Sequence, residues 1–203
     1  MAMNLISYII LLTLFLNSCS NLDSRAPASS IISNCQSAII SFINQASNKY
    51  KPLRIPKNTP TYSMRLTYRG EELSSTRPVK YLNVEERSHY EVFINKDGLV
   101  VDRTGAPLTS PIGKLKPLEA VYVVSPEGKI YVSYLTPNDS FQHSSFLSGE
   151  DVISAGIITF DKGTIQTFSN ESGHYQPTVE SIDLMITLLE ERKVKIMNVF
   201  IAE

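Results

Sequence analysis

The residue pattern predicts an α+β fold: a mainly antiparallel sheet built from hairpins, with an N-terminal helix and a C-terminal helix. Two observations carry this expectation. Apolar runs come in pairs, each pair split by a short turn in which an acidic residue precedes a glycine by one or two positions. Apolar residues at helical spacing occur before the first pair and again after the last.

In chain order, Ile31–Tyr50 places Ile39, Ile40, Ile43 and Ala46 on one stripe, a helix with Asn34 or Ser37 as its N-cap. Pro52, Pro56 and Pro60 make Lys51–Pro60 an extended connector. Thr61–Arg69 alternates Tyr62, Met64, Leu66 and Tyr68 with polar residues, the pattern of a half-buried strand. Tyr90–Ile94 and Leu99–Val101 flank Asn95-Lys96-Asp97-Gly98. Ala120–Val124 and Lys129–Leu135 flank Ser125-Pro126-Glu127-Gly128. Gly156–Phe160 and Thr164–Phe168 flank Asp161-Lys162-Gly163. Each turn holds a glycine, the residue that enters positive φ without steric cost. Pro177-Thr178 then opens a helix with Ile182, Met185, Ile186 and Leu189 facing the core, and Arg192 and Lys193 end it where a helix dipole favours cations. Val194–Ile201 returns as a final strand.

Composition narrows the function. The 203 residues carry 19 Lys and Arg against 20 Asp and Glu, a net charge of −1, which excludes nucleic-acid binding by bulk charge. Apolar residues make up 42%, which excludes a solvated, disordered chain. Two cysteines cannot build a disulfide framework, so packing must supply the stability.

At the start, Leu5–Leu16 is an uncharged run of twelve residues. That is shorter than the roughly 20 a spanning helix needs and matches the apolar core of a secretory signal. Leu16-Asn17-Ser18-Cys19 resembles a bacterial lipobox, although Asn17 is polar and no Lys or Arg precedes the apolar run. The resemblance implies a signal peptide over 1–18, lipidation of Cys19, a tether over 19–30 and a single globular domain over 31–203. The expected location is then the cell envelope, as an outer-membrane lipoprotein held to the membrane by its N-terminal lipid, or secreted if Cys19 is unmodified. Cys35 reads as a small packed residue rather than a nucleophile.

Histidine occurs three times. His89 sits in a polar run before a strand and reads as exposed. The other two lie in unusual loops, Phe141-Gln142-His143-Ser144-Ser145-Phe146-Leu147-Ser148-Gly149 and Ser169-Asn170-Glu171-Ser172-Gly173-His174-Tyr175-Gln176-Pro177. Both combine imidazole, hydroxyls and glycine. Such groups either hydrogen-bond a small polar ligand or satisfy one another in a buried network. Two histidines without HxxxH or CxxC spacing fall below the usual ligand count of a zinc site, so no metal is expected, and no cofactor.

Several of these stretches resemble one family. Lys80–Val92 (KYLNVEERSHYEV) is similar to the plant IQM proteins, the IQ-motif-containing calmodulin-binding family. The resemblance runs through Val92–Asp102, Val121–Val124 and Ile130–Val132 and is densest at FQHSSFLSG, Ala155-Gly156 and Ser172–Thr178. It ends along Glu180–Glu191 and covers about residues 79–200. It implies that this is the shared C-terminal domain, whose best site residues are His143, Ser144, Ser145, Ser172, Gly173, His174 and Tyr175. The family's IQ segment, a basic helix of the form IQ-x-x-x-R-G-x-x-x-R, is absent from these 203 residues, so calmodulin binding does not carry over.

Three functions compete on this basis. The first is a module that binds an unknown small molecule or protein through the two His loops. The second is an enzyme. Tyr68-Arg69-Gly70 followed by Ser144–Ser148 resembles the Arg…Ser-x-Ser pattern of arginine-type ADP-ribosyltransferases, with Arg69 toward a phosphate, but the late Q/E-x-E element is missing. A Ser–His hydrolase using His174 with Ser144 or Ser145 lacks a G-x-S-x-G elbow and an acidic third member. The third is a purely structural envelope protein.

Overall fold

The computed structural model describes residues 50–65, 79–114, 116–134 and 141–202. The helix expected over Ile31–Tyr50 lies outside them except for Tyr50, as do Cys19, Cys35 and the part of the Thr61–Arg69 strand that includes Arg69. Lys51–Glu203 forms one unit to which every element below belongs.

A short helix α1 (Val84–Ser88) leads into strand β1 (Glu91–Ile94). It starts on a capping box: Asn83 Oδ1 accepts from the Glu86 amide at 2.9 Å, and the Glu86 carboxylate accepts from the Asn83 amide at 3.0 Å. β1 turns back into β2 (Val100–Val101), and Asn95 Oδ1 closes the turn by accepting from the amides of Asp97 and Leu99. β3 (Ala120–Val124) pairs with β4 (Ile130–Tyr134) around Ser125–Gly128. A single helical turn α2 (His143–Phe146) precedes β5 (Ser154–Asp161), which pairs with β6 (Thr164–Ser169). Lys162 and Gly163 both hold positive φ there, 47° and 82°, the combination a two-residue hairpin turn requires. Helix α3 (Val179–Glu191) then crosses to β7 (Ile196–Phe200).

All the described strands join one seven-stranded sheet in the order β2-β1-β4-β3-β5-β6-β7. This corrects the expected class. The three hairpins are present, but the sheet is mixed, because β7 lies parallel to β6, with Ile165 opposite Ile196 and Phe168 opposite Val199. The longest described helix is not a terminal cap either. α3, at 13 residues, is the crossover that returning in parallel demands, since a tight turn can only reverse a strand. The other two described helices are five and four residues long.

The sheet buries both faces at its centre. All five residues of β3 are buried, which period-two alternation allows only if each face is covered. Ala120, Tyr122 and Val124 join Val92, Ile94, Ile158, Phe160, Ile165 and Phe168 under Ile182, Met185, Leu188 and Leu189 of α3. A bulge between Thr159 and Phe160 and their partners skips Gln166, which lets Ile165 and Phe168 share that face. Val121, Val123, Tyr131 and Ala155 pack on the opposite face against Phe141, Phe146, Leu147 and Tyr175.

Asn170, buried just beyond β6, fixes the end of the chain's last strand. Its amide nitrogen donates to Pro177 O at 2.8 Å and Ala202 O at 3.3 Å, and its Oδ1 accepts from the Ala202 amide at 2.8 Å. Asn170→Ala strands these groups and should lower unfolding stability by about 2 kcal/mol. Urea denaturation checks it, together with faster amide exchange in β7; an unchanged midpoint would contradict the assignment.

Candidate functional site

The two His loops meet on the face opposite α3. α2 begins where Gln142 takes an extended conformation and its amide donates to Ser145 Oγ at 2.9 Å, so the third residue of the turn caps its own start. Phe146, fully buried, drives the turn onto the sheet and stacks edge-on against Phe141 and Tyr90. The turn ends on Ser148 (φ 55°) and Gly149 (φ 80°), and the Gly149 amide returns to Ser144 O at 3.0 Å. Ser145 O accepts from the Leu82 amide at 3.0 Å, and Ser148 Oγ donates to Leu82 O at 2.9 Å, tying the loop to the chain before α1.

From the second loop, His174 reaches the first. Its Nδ1 lies 2.8 Å from Ser144 Oγ, and both side chains are buried, Ser144 at 0% and His174 at 8% exposure. Its carbonyl accepts from the Arg65 amide at 2.9 Å. Ser172 folds the loop by accepting from the amides of Tyr175 and Gln176, and Tyr175 OH donates to Glu150 O at 2.9 Å. Gly173 stays exposed on the rim.

His143 faces β5. Its Nε2 donates to Gly156 O at 3.0 Å, which requires the Nε2–H tautomer of a neutral ring. Burial, first, pushes its imidazole down to about 4; the Gly156 carbonyl opposes that shift and the charge of His174 adds to it. Gly156 leads into a further set of groups. Tyr122 OH donates to Ser169 O at 2.9 Å and sits 3.2 Å from Ser154 Oγ, and Ser169 Oγ accepts from the amides of Ile157 and Glu171.

The structure thus brings His143, Ser144, Ser145, Ser172, His174 and Tyr175 into one buried cluster, with Gly173 at its edge; Arg69 lies outside the described residues. A concavity of about 330 Å³ opens elsewhere on the sheet, lined by Glu119, Ile157, Thr167, Ser169, Glu171 and Phe200. Ser169 and Glu171 belong to the second His loop, but none of the six is among the site residues the sequence suggests. Their signal was faint: alternation along β5 and β6 puts Ile157 and Thr167 on the same face, but only the pairing register brings Glu119 beside them. Tyr122 was equally hidden, because it reads as an ordinary strand residue.

Comparison with known proteins now bears on the whole arrangement. The family model described as the IQ motif-containing protein middle domain matches residues 86–182, from α1 through both His loops into α3. Among characterised relatives, IQ domain-containing protein IQM3 of Arabidopsis thaliana is 35% identical over 121 residues, 60% of this chain and 26% of its own length. IQ domain-containing proteins IQM1 and IQM4 of the same plant are each 34% identical over 121 residues, 24% and 22% of their lengths. The match spans about a quarter of these relatives. No solved structure matches the chain.

These matches correct the expected location. The relatives are plant proteins and not bacterial envelope lipoproteins, which overturns the cell-envelope location read from Leu16–Cys19. The pattern that suggested it is four residues long and already departed from the lipobox at Asn17. Among the described residues no helix is long and apolar enough to cross a membrane. What remains is the domain itself: the chain carries an IQM-family domain, matched over residues 86–182 as that family's middle domain.

Proposed function

We propose that the domain is a binding module in which the FQHSSF and SGHYQP loops act as an internal brace, and that partners are met by the surface this brace supports. The observation that carries the reading is Ser144: its hydroxyl is fully buried and engaged with His174 Nδ1, itself buried. A nucleophile must reach an acyl or phosphoryl centre at near-contact distance, and a hydroxyl enclosed on all sides offers no such approach. Around it, His143, Ser145, Ser172 and Tyr175 spend their polar atoms on backbone groups. Gly173, with Gln142, Ser148 and Gln176, forms the exposed rim through which these loops can touch a protein or small molecule. The relatives are named for an IQ domain, whereas binding here rests on the folded domain, since no IQ segment is present in the sequence.

A fluorophosphonate probe tests this directly. Native protein should remain unlabelled at Ser144 by mass spectrometry, just as Ser144→Ala does. Stoichiometric labelling of Ser144 that His174→Ala abolishes would replace the brace by a Ser–His hydrolase.

A further inference from the structure

The sheet ends at β7, and among the described residues the outer edge of that strand has no partner. An unpaired edge presents a row of backbone donors and acceptors, and proteins normally blunt such edges with charge, proline or a covering loop. β7 carries neither charge nor proline between Ile196 and Phe200. Met197, Val199, Phe200 and Ile201 instead stand 61%, 41%, 58% and 51% exposed. The concavity described above lies directly alongside: Phe200 of β7 is one wall, Ile157 is apolar, Thr167 and Ser169 supply hydroxyls, and Glu119 and Glu171 supply carboxylates. The Glu171 carboxylate makes no ion pair or hydrogen bond among the described residues, and Glu119 is held there only by Lys116 in an exposed pair, which water and salt readily loosen.

We propose that β7 and this acidic concavity receive an extended basic peptide segment. Its backbone adds as a further strand along β7, and one lysine or arginine side chain lies over Phe200 with its cation between Glu119 and Glu171. Strand addition supplies affinity through main-chain hydrogen bonds, while a pocket for alternate side chains supplies selectivity. The charge in the concavity selects the class of partner, because two carboxylates repel an acidic segment and attract a cation that can also rest on an aromatic face. The inference rests on the binding-module reading and specifies its surface. Asn170, which pins Ala202, is the positioning residue that keeps this strand in place.

The test uses the full chain and a short blocked peptide of alternating threonine and valine with one central arginine. Two control peptides accompany it, one with glutamate in place of arginine and one with proline at alternate positions. Titration followed by NMR should shift the amides of β7 and of the residues around Glu119 and Glu171. Affinity should fall about tenfold or more for the glutamate peptide and for the Glu119→Gln/Glu171→Gln variant, and disappear for the proline peptide, which cannot pair. Equal binding of the arginine and glutamate peptides, no binding by the arginine peptide at millimolar concentration, or a concentration-dependent dimer that already occupies β7 would each overturn the proposal. These results are separable from failure of the brace, since labelling at Ser144 reports on the His loops whatever the peptide does.

Discussion

Replacing Gly156 by alanine should be the most damaging single-atom addition in the domain, lowering unfolding stability by about 4 kcal/mol or preventing folding. The reason is space and not backbone freedom. A Cβ at this position would lie 1.8 Å from Ser169 O, 2.7 Å from the carbonyl carbon and 3.0 Å from Tyr122 Cε1. The nearest obstacles are backbone, so no rotamer change can relieve the clash; β5 and β6 would have to part. That same carbonyl of Ser169 accepts from Tyr122 OH, and the carbonyl of Gly156 accepts from His143. One methyl group therefore strikes the point where the His loops, β3 and β6 are joined. Soluble yield and guanidinium denaturation measure the effect, with Gln166→Ala on the neighbouring strand as a tolerated control. A Gly156→Ala protein as stable as wild type would mean that the close approach of β5 and β6 is not required.

Acidification should produce the second large effect, through His143. Its folded-state value of about 4 lies below the ordinary 6.5 of an unfolded imidazole. Between those limits the unfolded chain binds the proton more readily, so stability is fully present above about pH 6.5 and is lost as the pH falls toward 4. The loss integrates to about 3 kcal/mol for a shift of that order. Urea unfolding at pH 7 and near pH 4 should therefore show wild type losing about 3 kcal/mol more than His143→Gln, whose amide can still donate to Gly156 O but does not titrate. Parallel losses in the two proteins would show that His143 ionises freely in the fold.

The local elements were legible because they rest on local chemistry. Asp97-Gly98, Glu127-Gly128 and Lys162-Gly163 specify turns, and the runs beside them have nowhere to go but back along themselves. The parallel return of β7 was not legible, because Val194–Ile201 pairs only after a helix has carried it across the sheet, and nothing in those residues states the direction. The His loops were conspicuous as sequence, yet burial decides their role. Phe141, Phe146, Leu147 and Tyr175 bring the imidazoles inward, an outcome that depends on Val121, Val123 and Ala155 presenting an apolar face from other parts of the chain. The concavity beside β7 was invisible for the same reason, since Glu119 and Glu171 lie far apart in sequence and meet only through strand order. The envelope reading failed differently. A four-residue match at Leu16–Cys19 carried a location that comparison across 121 residues of folded domain does not support.

The central claim, that the His loops form a buried brace, is tested most directly by imidazole NMR on the native protein. His143 should be observed as the neutral Nε2–H tautomer at pH 7, with a ring proton protected from solvent exchange, and should stay unprotonated until the pH falls to about 4. A His143 ring that titrates near the unperturbed 6.5, with a rapidly exchanging proton, would place these loops in solvent and contradict the brace.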